Sequence, residues 1–168
     1  VKADLHDVSN SDFLPGHTLS AQNLLLLVNS EGWSLSGEAD YDTLPIKLAI
    51  NEKFAEKKYK SKCNISFKLD DAAKKALGLD WAILQEPNIS GYALVDADIT
   101  VQQNDEISVK VKADLKNTAL DFAYLGFVKP LNQNAGASAD VVLLKDKIKS
   151  IKNIKLQKSG FNITGGLT

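Results

Sequence analysis

The fold is decided by "YALVDADITVQQNDEISVKVKADL", residues 92–115, in which apolar and polar residues alternate on both sides of a polar centre. Val95 and Ile99 fall on one side of this alternation, and Asp96 and Asp98 fall on the other. Successive side chains of a strand point to opposite faces of a sheet, so the pattern predicts two amphipathic strands. The turn-like "QQNDE" between them predicts a long antiparallel hairpin with one apolar and one solvated face.

The same alternation recurs upstream of this hairpin. "LPIKLAI", residues 44–50, and "KCNISFKL", residues 62–69, each place their aliphatic residues two positions apart. They predict further strands of an open antiparallel sheet. We therefore expect a mainly β, α+β fold: a curved antiparallel sheet with one or two short helices packed on or beside it.

The clearest helix signal is "DDAAKKALG", residues 70–78. Asp70 or Asp71 can cap the first turn, the alanines and Leu77 form an apolar stripe, and Gly78 is placed to end the helix in a left-handed conformation. A second candidate, "NEKFAEKKY" at residues 51–59, has only a thin apolar stripe. It is compatible with either a helix or a charged loop.

Composition narrows the class of protein. The 168 residues suit one domain, and a formal net charge of −1 disfavours a dedicated nucleic-acid binder, which would be strongly basic. The longest aliphatic run, residues 24–28, is far short of the ~20 residues of a membrane span. The chain starts at Val1 and contains no methionine, so we expect it to be part of a longer protein.

An internal repeat is suggested by "VKADL", which occurs at residues 1–5 and again at residues 111–115. When Gly32 is aligned with Gly160, an aromatic residue, an aliphatic residue and a glycine follow at the same spacing. The pattern predicts one β-rich domain, residues 1–168, built on a repeat of about 110 residues. The first unit would be residues 1–110, and residues 111–168 would begin the second.

The order of these motifs resembles the AsmA-like periplasmic proteins of Gram-negative bacteria, in particular a domain of unknown function that precedes their C-terminal region. The resemblance rests on Gly37 after a strand, "LGL" at residues 77–79, Gly91 before the long hairpin, and "ADL" at residues 113–115 followed by "LGFVKP" at residues 125–130. It implies a repeat-built sheet that curls into an apolar groove, an anchor in the inner membrane, and a periplasmic role in outer-membrane biogenesis and phospholipid transport. It implies no catalytic centre.

Two interpretations of the apolar face stay open at this point. A sheet with one apolar face must have that face covered, so either the predicted helix covers it as ordinary core or part of it lines a groove for phospholipid acyl chains in the longer protein. The candidate groove residues are Val95, Ile99, Ile107, Val109 and Val111. The alternative function is a structural or protein-interaction module whose sheet edges pair with neighbouring β-units of the same chain.

Enzymatic signals are weak. His6 and His17 have no partner at metal-ligand spacing, and Cys63 lies on an alternating apolar face, as a buried inert thiol would. Asp96 and Asp98 share a strand face that is predicted to be solvated. We expect a non-enzymatic protein without a cofactor, metal or nucleic-acid partner.

The segment "KDKIKSIKNIKLQK", residues 145–158, carries six lysines and one aspartate. One interpretation is a solvated edge strand, because lysine on an edge discourages aggregation between sheets. The other is contact with anionic headgroups through Lys152, Lys155 and Lys158.

Overall fold

A computed structural model describes residues 1–14, 17–79, 81–144 and 147–167. The strands are β1 (Lys2–Leu14), β2 (His17–Val28), β3 (Gly32–Tyr41), β4 (Leu44–Lys53), β5 (Tyr59–Leu69), β6 (Ile89–Gly91), β7 (Ala93–Gln102), β8 (Glu106–Asp114), β9 (Thr118–Phe122), β10 (Phe127–Lys129), β11 (Ala135–Leu144), β12 (Lys147–Lys158) and β13 (Phe161–Leu167). One α-helix, α1, spans Asp71–Ala76, and 3₁₀ turns span Ala82–Leu84 and Ala123–Leu125. The predicted mainly β fold is confirmed.

Ten of these strands form one antiparallel sheet in the order β1-β2-β3-β4-β5-β7-β8-β11-β12-β13. Each strand pairs with the next one of the sheet along the chain, which is the simplest arrangement for strands joined by short turns. The hairpin of β7 and β8 is as predicted, with Ile99 opposite Val109 and Asp98 opposite Lys110. Within the described residues β1 and β13 have one neighbour each, so the sheet is open.

Alternation along the strands gives the ten-stranded sheet one apolar and one polar face. Register aligns apolar residues across many strands, for example Ile46, Phe67, Val95 and Ala113 in one row. On the opposite face Asp96 lies across from Lys112, and the hydroxyl of Ser66 donates to Asp96 Oδ1 at 2.5 Å. Opposite charges in register stabilise the pairing of adjacent strands.

Helix α1 forms as the sequence predicts. The carboxylate of Asp70 accepts a hydrogen bond from the backbone N–H of Ala73 at 3.1 Å, and Gly78, with φ +66°, follows the last turn. Ala73 is buried in a core beneath the helix. The second candidate helix is a loop instead, because residues 51–53 end β4 and Tyr59 begins β5.

A second, three-stranded sheet was not predicted. Its order is β10-β9-β6, and we call these three strands the cap sheet. Strand β6 comes from the connection between β5 and β7, whereas β9 and β10 come from the connection between β8 and β11. Ile89 pairs with Leu120, so two connections that are distant in sequence combine to cover part of the apolar face.

Two hydrophobic cores lie against the apolar face. The first core lies at β2–β5 and beneath α1, and includes Leu24, Leu48 and Ala73. The second lies between the cap sheet and the ten-stranded sheet, and includes Val95 below with Leu120 and Phe127 above. The chain's own elements therefore cover the apolar face wherever α1 and the cap sheet reach.

A buried lysine in β10 bonds the cap sheet to the segments that flank its strands. The side chain of Lys129 is fully buried, and its ammonium donates to the carbonyl oxygens of Thr118, of Pro130 at 3.1 Å and of Lys116 at 3.5 Å. Burial lowers the pKa of Lys129 below its ordinary value, the carboxylate of Asp114 opposes this shift, and the charge of Lys158 adds to it. Three carbonyl partners compensate for much of the cost of burying the charge.

The repeat of about 110 residues is not shown by this topology. Residues 2–5 belong to β1, at one end of the sheet, and the hairpin of β2 and β3 follows directly beside it. Residues 111–114 belong to β8, inside the sheet, and β11 separates β8 from the matching hairpin of β12 and β13. The shared feature is alternation: Lys2, Asp4, Lys112 and Asp114 are exposed in both segments, as any amphipathic strand requires.

We predict that Gly91→Ala lowers the free energy of unfolding by about 3 kcal/mol, because the residue has φ +87° and a Cβ there would overlap the carbonyl oxygen of Asn117. Gly78→Ala is the matched control: its φ is also positive, but no atom lies within 4 Å of the added Cβ, so a loss of about 1 kcal/mol is expected. Urea unfolding measures both. Equal losses would contradict the close approach of the two connections.

We also predict a pH dependence at Lys129. The folded-state pKa lies below the unfolded value, so the unfolded state binds more protons between the two, and stability rises with pH in that interval. The difference in free energy of unfolding between the native chain and Lys129→Met should therefore shift in favour of the native chain as pH rises towards 10.5. A shift in the opposite direction would mean that the carbonyl bonds outweigh the cost of burial.

Candidate functional site

The candidate site is the part of the apolar face that lies beyond the cap sheet. Two cross-strand rows make up this surface, which we call the apolar strip: Ile99, Val109, Val141 and Ile151, then Val101, Ile107, Leu143 and Ile148. Seven of these side chains are half-buried, and Ile148 is 63% exposed. Among the described residues, none of the eight belongs to either hydrophobic core.

The structure separates the predicted groove residues into two groups. Val95 is buried in the core beneath the cap sheet, and Val111 packs against that core. Ile99, Ile107 and Val109 lie on the apolar strip. The sequence predicts correctly that all five share one face, but the position of the cap sheet decides which of them are core.

The strip is left uncovered because the covering elements are short. Strands β7, β8 and β11 have nine or ten residues each, whereas β6 and β10 have three and β9 has five. The elements that cover the face come from connections at the end of the sheet where β5 finishes and β7 begins. At about 3.4 Å per residue, they cannot reach along the full length of β7 and β8.

The rim of the strip carries ion pairs. Lys60 Nζ lies 2.5 Å from Asp105 Oδ1, and Lys149 Nζ lies 2.9 Å from Glu106 Oε2. All four residues lie near the turn between β7 and β8. The strip is thus an apolar surface with a polar margin, which is the usual anatomy of a binding surface.

The polar face holds a concavity of about 820 Å³, lined in part by Glu38, Lys47 and Asp96. Its charges are balanced within the sheet: Glu38 lies opposite Lys47 in register, and Asp96 lies opposite Lys112. Asp96 accepts from Ser66, so its carboxylate is engaged by the neighbouring strand. This surface matches the solvated face that the sequence predicts.

The predicted lysine surface is divided between the two faces. Lys152 and Lys155 are exposed and pair with Asp140 and Ser138, which lie on the polar face. Lys158 lies on the other face, because one extra residue in β12 between Lys152 and Lys155 changes the alternation. Its ammonium donates to the carbonyl oxygen of Val128 at 2.6 Å and lies 4.8 Å from the centre of the Phe127 ring.

Strand β12 is also not an edge strand. β13 pairs with its outer side, with Leu156 opposite Ile163. The interpretation of residues 145–158 as a lysine-protected edge is therefore wrong. Residues 145 and 146 lie outside the described part of the chain.

The thiol and the imidazoles that could take part in catalysis are buried or hydrogen-bonded to neighbouring side chains. Burial raises the pKa of the Cys63 thiol to about 11, which leaves little thiolate at neutral pH. His17 Nδ1 lies 2.6 Å from Asp42 Oδ2, and this hydrogen bond, together with one from the backbone N–H of Thr18, lowers the pKa of Asp42. His6 Nδ1 lies 2.6 Å from Asn23 Oδ1.

The described residues contain no group of three or more His, Cys, Asp or Glu side chains that is placed to hold a metal ion. In the same part of the chain, no helix has both the length and the hydrophobicity needed to cross a bilayer.

Comparison with known proteins gives no relative. Neither a protein-family model, nor a curated protein, nor a solved structure matches the chain.

The division of the lysines predicts different effects of their removal. Lys158→Ala should lower the free energy of unfolding by about 1–2 kcal/mol, because it removes a hydrogen bond and a cation–π contact that hold the cap sheet. Lys155→Ala, three residues away on the polar face, should change it by less than about 0.5 kcal/mol. Denaturant unfolding compares the two. Similar small effects would contradict the placement of Lys158.

Proposed function

We propose that this chain is a non-enzymatic segment of a bacterial cell-envelope protein in which the apolar strip carries the acyl chains of phospholipids. The resemblance to AsmA-like proteins suggests the setting: a periplasmic protein, anchored in the inner membrane elsewhere in the parent chain and acting in lipid transport or outer-membrane biogenesis. The observation that supports it is the apolar strip, which lies on a ten-stranded sheet and outside both cores.

Leaving the apolar strip in water costs free energy. Eight aliphatic side chains in two adjacent rows form a continuous surface, and such a surface on a folded protein usually contacts a partner. An acyl chain would gain about 0.8 kcal/mol for each methylene group that it buries there. A phospholipid could therefore satisfy this surface without any directional contact.

The backbone chemistry of the strip also favours a hydrocarbon over a peptide. Strands β7, β8 and β11 pair on both sides and β12 pairs with β11 along the strip, so most backbone groups beneath the strip are engaged within the sheet. A peptide laid over this face would bring N–H and C=O groups with no partners beneath them, which is costly. An acyl chain has no such groups.

The headgroup would lie outside the strip, at its polar margin. Lys60 and Lys149 are there, although each is paired with a carboxylate. Lys152 and Lys155 on the polar face are exposed and could contact anionic headgroups of a neighbouring bilayer, whereas Lys158 is directed at the cap sheet.

The proposal predicts lipid contact on one face only. Benzoylphenylalanine placed at position 99 or 109 should crosslink to phosphatidylethanolamine on ultraviolet irradiation, because both positions lie on the apolar strip. At positions 98 and 110, the adjacent residues on the opposite face, little adduct is expected. Intact-protein mass spectrometry counts the adducts. Equal yields on both faces, or none at positions 99 and 109, would reject lipid binding by the strip.

A second candidate is a structural module that pairs with neighbouring β-units and has no ligand. The open ends of the sheet favour it, because β1 and β13 each leave one side without a described neighbouring strand. If the chain is such a module, amide hydrogen exchange along β1 should be slow only when an adjoining β-unit is present. It should also form no lipid adduct at position 99 or 109.

A further inference from the structure

A cavity of about 380 Å³ lies between the cap sheet and the ten-stranded sheet. Leu84, Leu120 and Phe122 line it on the side of the cap sheet and its connections, and Ala137, Ala139 and Leu156 line its floor on the large sheet. This volume is within the range of about 300–1,000 Å³ that is typical of small-ligand sites. The lining is mainly hydrocarbon.

The space exists because small side chains occupy the floor. Ala137 and Ala139 lie in rows that elsewhere contain larger residues, for example Phe67 in the row of Ala137 and Leu48 in the row of Ala139. Close packing would fill such a gap in an ordinary core. Here the cap sheet lies above the two alanines and leaves the gap unfilled.

Two polar side chains at the cavity, those of Thr118 and Lys74, are already satisfied by the protein. The hydroxyl of Thr118 donates to the carbonyl oxygen of Tyr92 at 2.7 Å. The ammonium of Lys74 is buried and donates to the carbonyl oxygen of Leu84 at 2.9 Å, and it lies 2.6 Å from Asp71 Oδ1. A ligand in this cavity would gain mainly from apolar contact.

The floor of the cavity continues into the apolar strip. Val111 lines the cavity, and Val109, two residues earlier on the same face of β8, belongs to the strip. In β11, Ala139 lines the cavity and Val141 belongs to the strip. One linear ligand can therefore lie on the strip with its end beneath the cap sheet.

We propose that this cavity receives the methyl end of a single acyl chain, and that the cap sheet sets how far the chain can advance along the face. This rests on the proposed function, in which the strip carries the rest of the chain. A peptide is a poorer occupant, because its backbone would bring unpaired N–H and C=O groups into an apolar space. A second copy of this sheet is too large for the volume.

The direct test uses two photoreactive forms of palmitic acid with the native chain. One carries a diazirine next to the terminal methyl group, and the other carries it next to the carboxylate. Tandem mass spectrometry should find methyl-end adducts on cavity residues such as Leu120 and Leu156, and carboxylate-end adducts away from the cavity. This measurement needs no variant of the protein.

A variant that fills the cavity provides the second measurement. Ala137→Leu combined with Ala139→Leu should weaken palmitate binding by about tenfold or more, since the chain end loses its buried position. Ala49→Leu is the matched control, because Ala49 is a half-buried alanine in a row with Ser36 and Asn64, on the polar face. Circular dichroism establishes that each variant is folded.

The outcomes separate this inference from the function on which it rests. Methyl-end adducts in the cavity support it, as does weaker binding by the folded, filled variant. If methyl-end adducts occur only on the strip, or a folded filled variant binds as well as the native chain, the cavity inference is wrong while lipid binding by the strip survives. If neither acid forms adducts, both are wrong.

Discussion

The structure depends on one constraint, which is that an open sheet with an apolar face must have that face covered. Ten antiparallel strands of amphipathic alternation produce a wide apolar surface, and burying it is the main favourable contribution to folding. The chain covers one part with α1 and another with the cap sheet. What they do not reach becomes the apolar strip, so the core and the candidate site are two portions of a single surface.

The cap sheet is held by contacts that are specific rather than extensive. Its strands are short, yet Lys129 binds three carbonyl oxygens of the cap sheet and its connections, and Lys158 reaches from β12 to the carbonyl of Val128. Phe127 completes this attachment by packing on Phe161 of β13, with ring centres 4.6 Å apart. The position of the cap sheet, and therefore the boundary between core and strip, is set by a few side chains.

The large sheet was predictable from the sequence because its signals are local. The alternation in residues 92–115 and the polar turn in the middle are enough to predict β7 and β8. They also predict which side chains lie on each face of the sheet. Helix α1 was predictable for the same reason: Asp70 and Gly78 mark its two ends within nine residues. Alternation alone does not decide whether Val95, Ile99 and Val109 are core or surface; the position of the cap sheet decides it.

The rest was not predictable because it depends on pairing between distant segments. Strands of three residues, such as β6 and β10, are too short to show a period, and Ile89 meets Leu120 only in the folded chain. The side on which Lys158 lies depends on one extra residue in β12, which alternation alone does not reveal. The two copies of "VKADL" share their alternation, but their strands hold different places in the sheet, and the repeat is not shown.

The apolar face of the large sheet is covered at one end and open at the other. Methyl NMR of the chain with a soluble paramagnetic agent measures this directly, because methyl groups that the agent can approach relax faster. We expect strong broadening for Ile99 and Val109 on the strip and weak broadening for Val95 and Leu120 in the core of the cap sheet. Equal protection of all four methyl groups would contradict it, because the strip would then be core like the rest of the face.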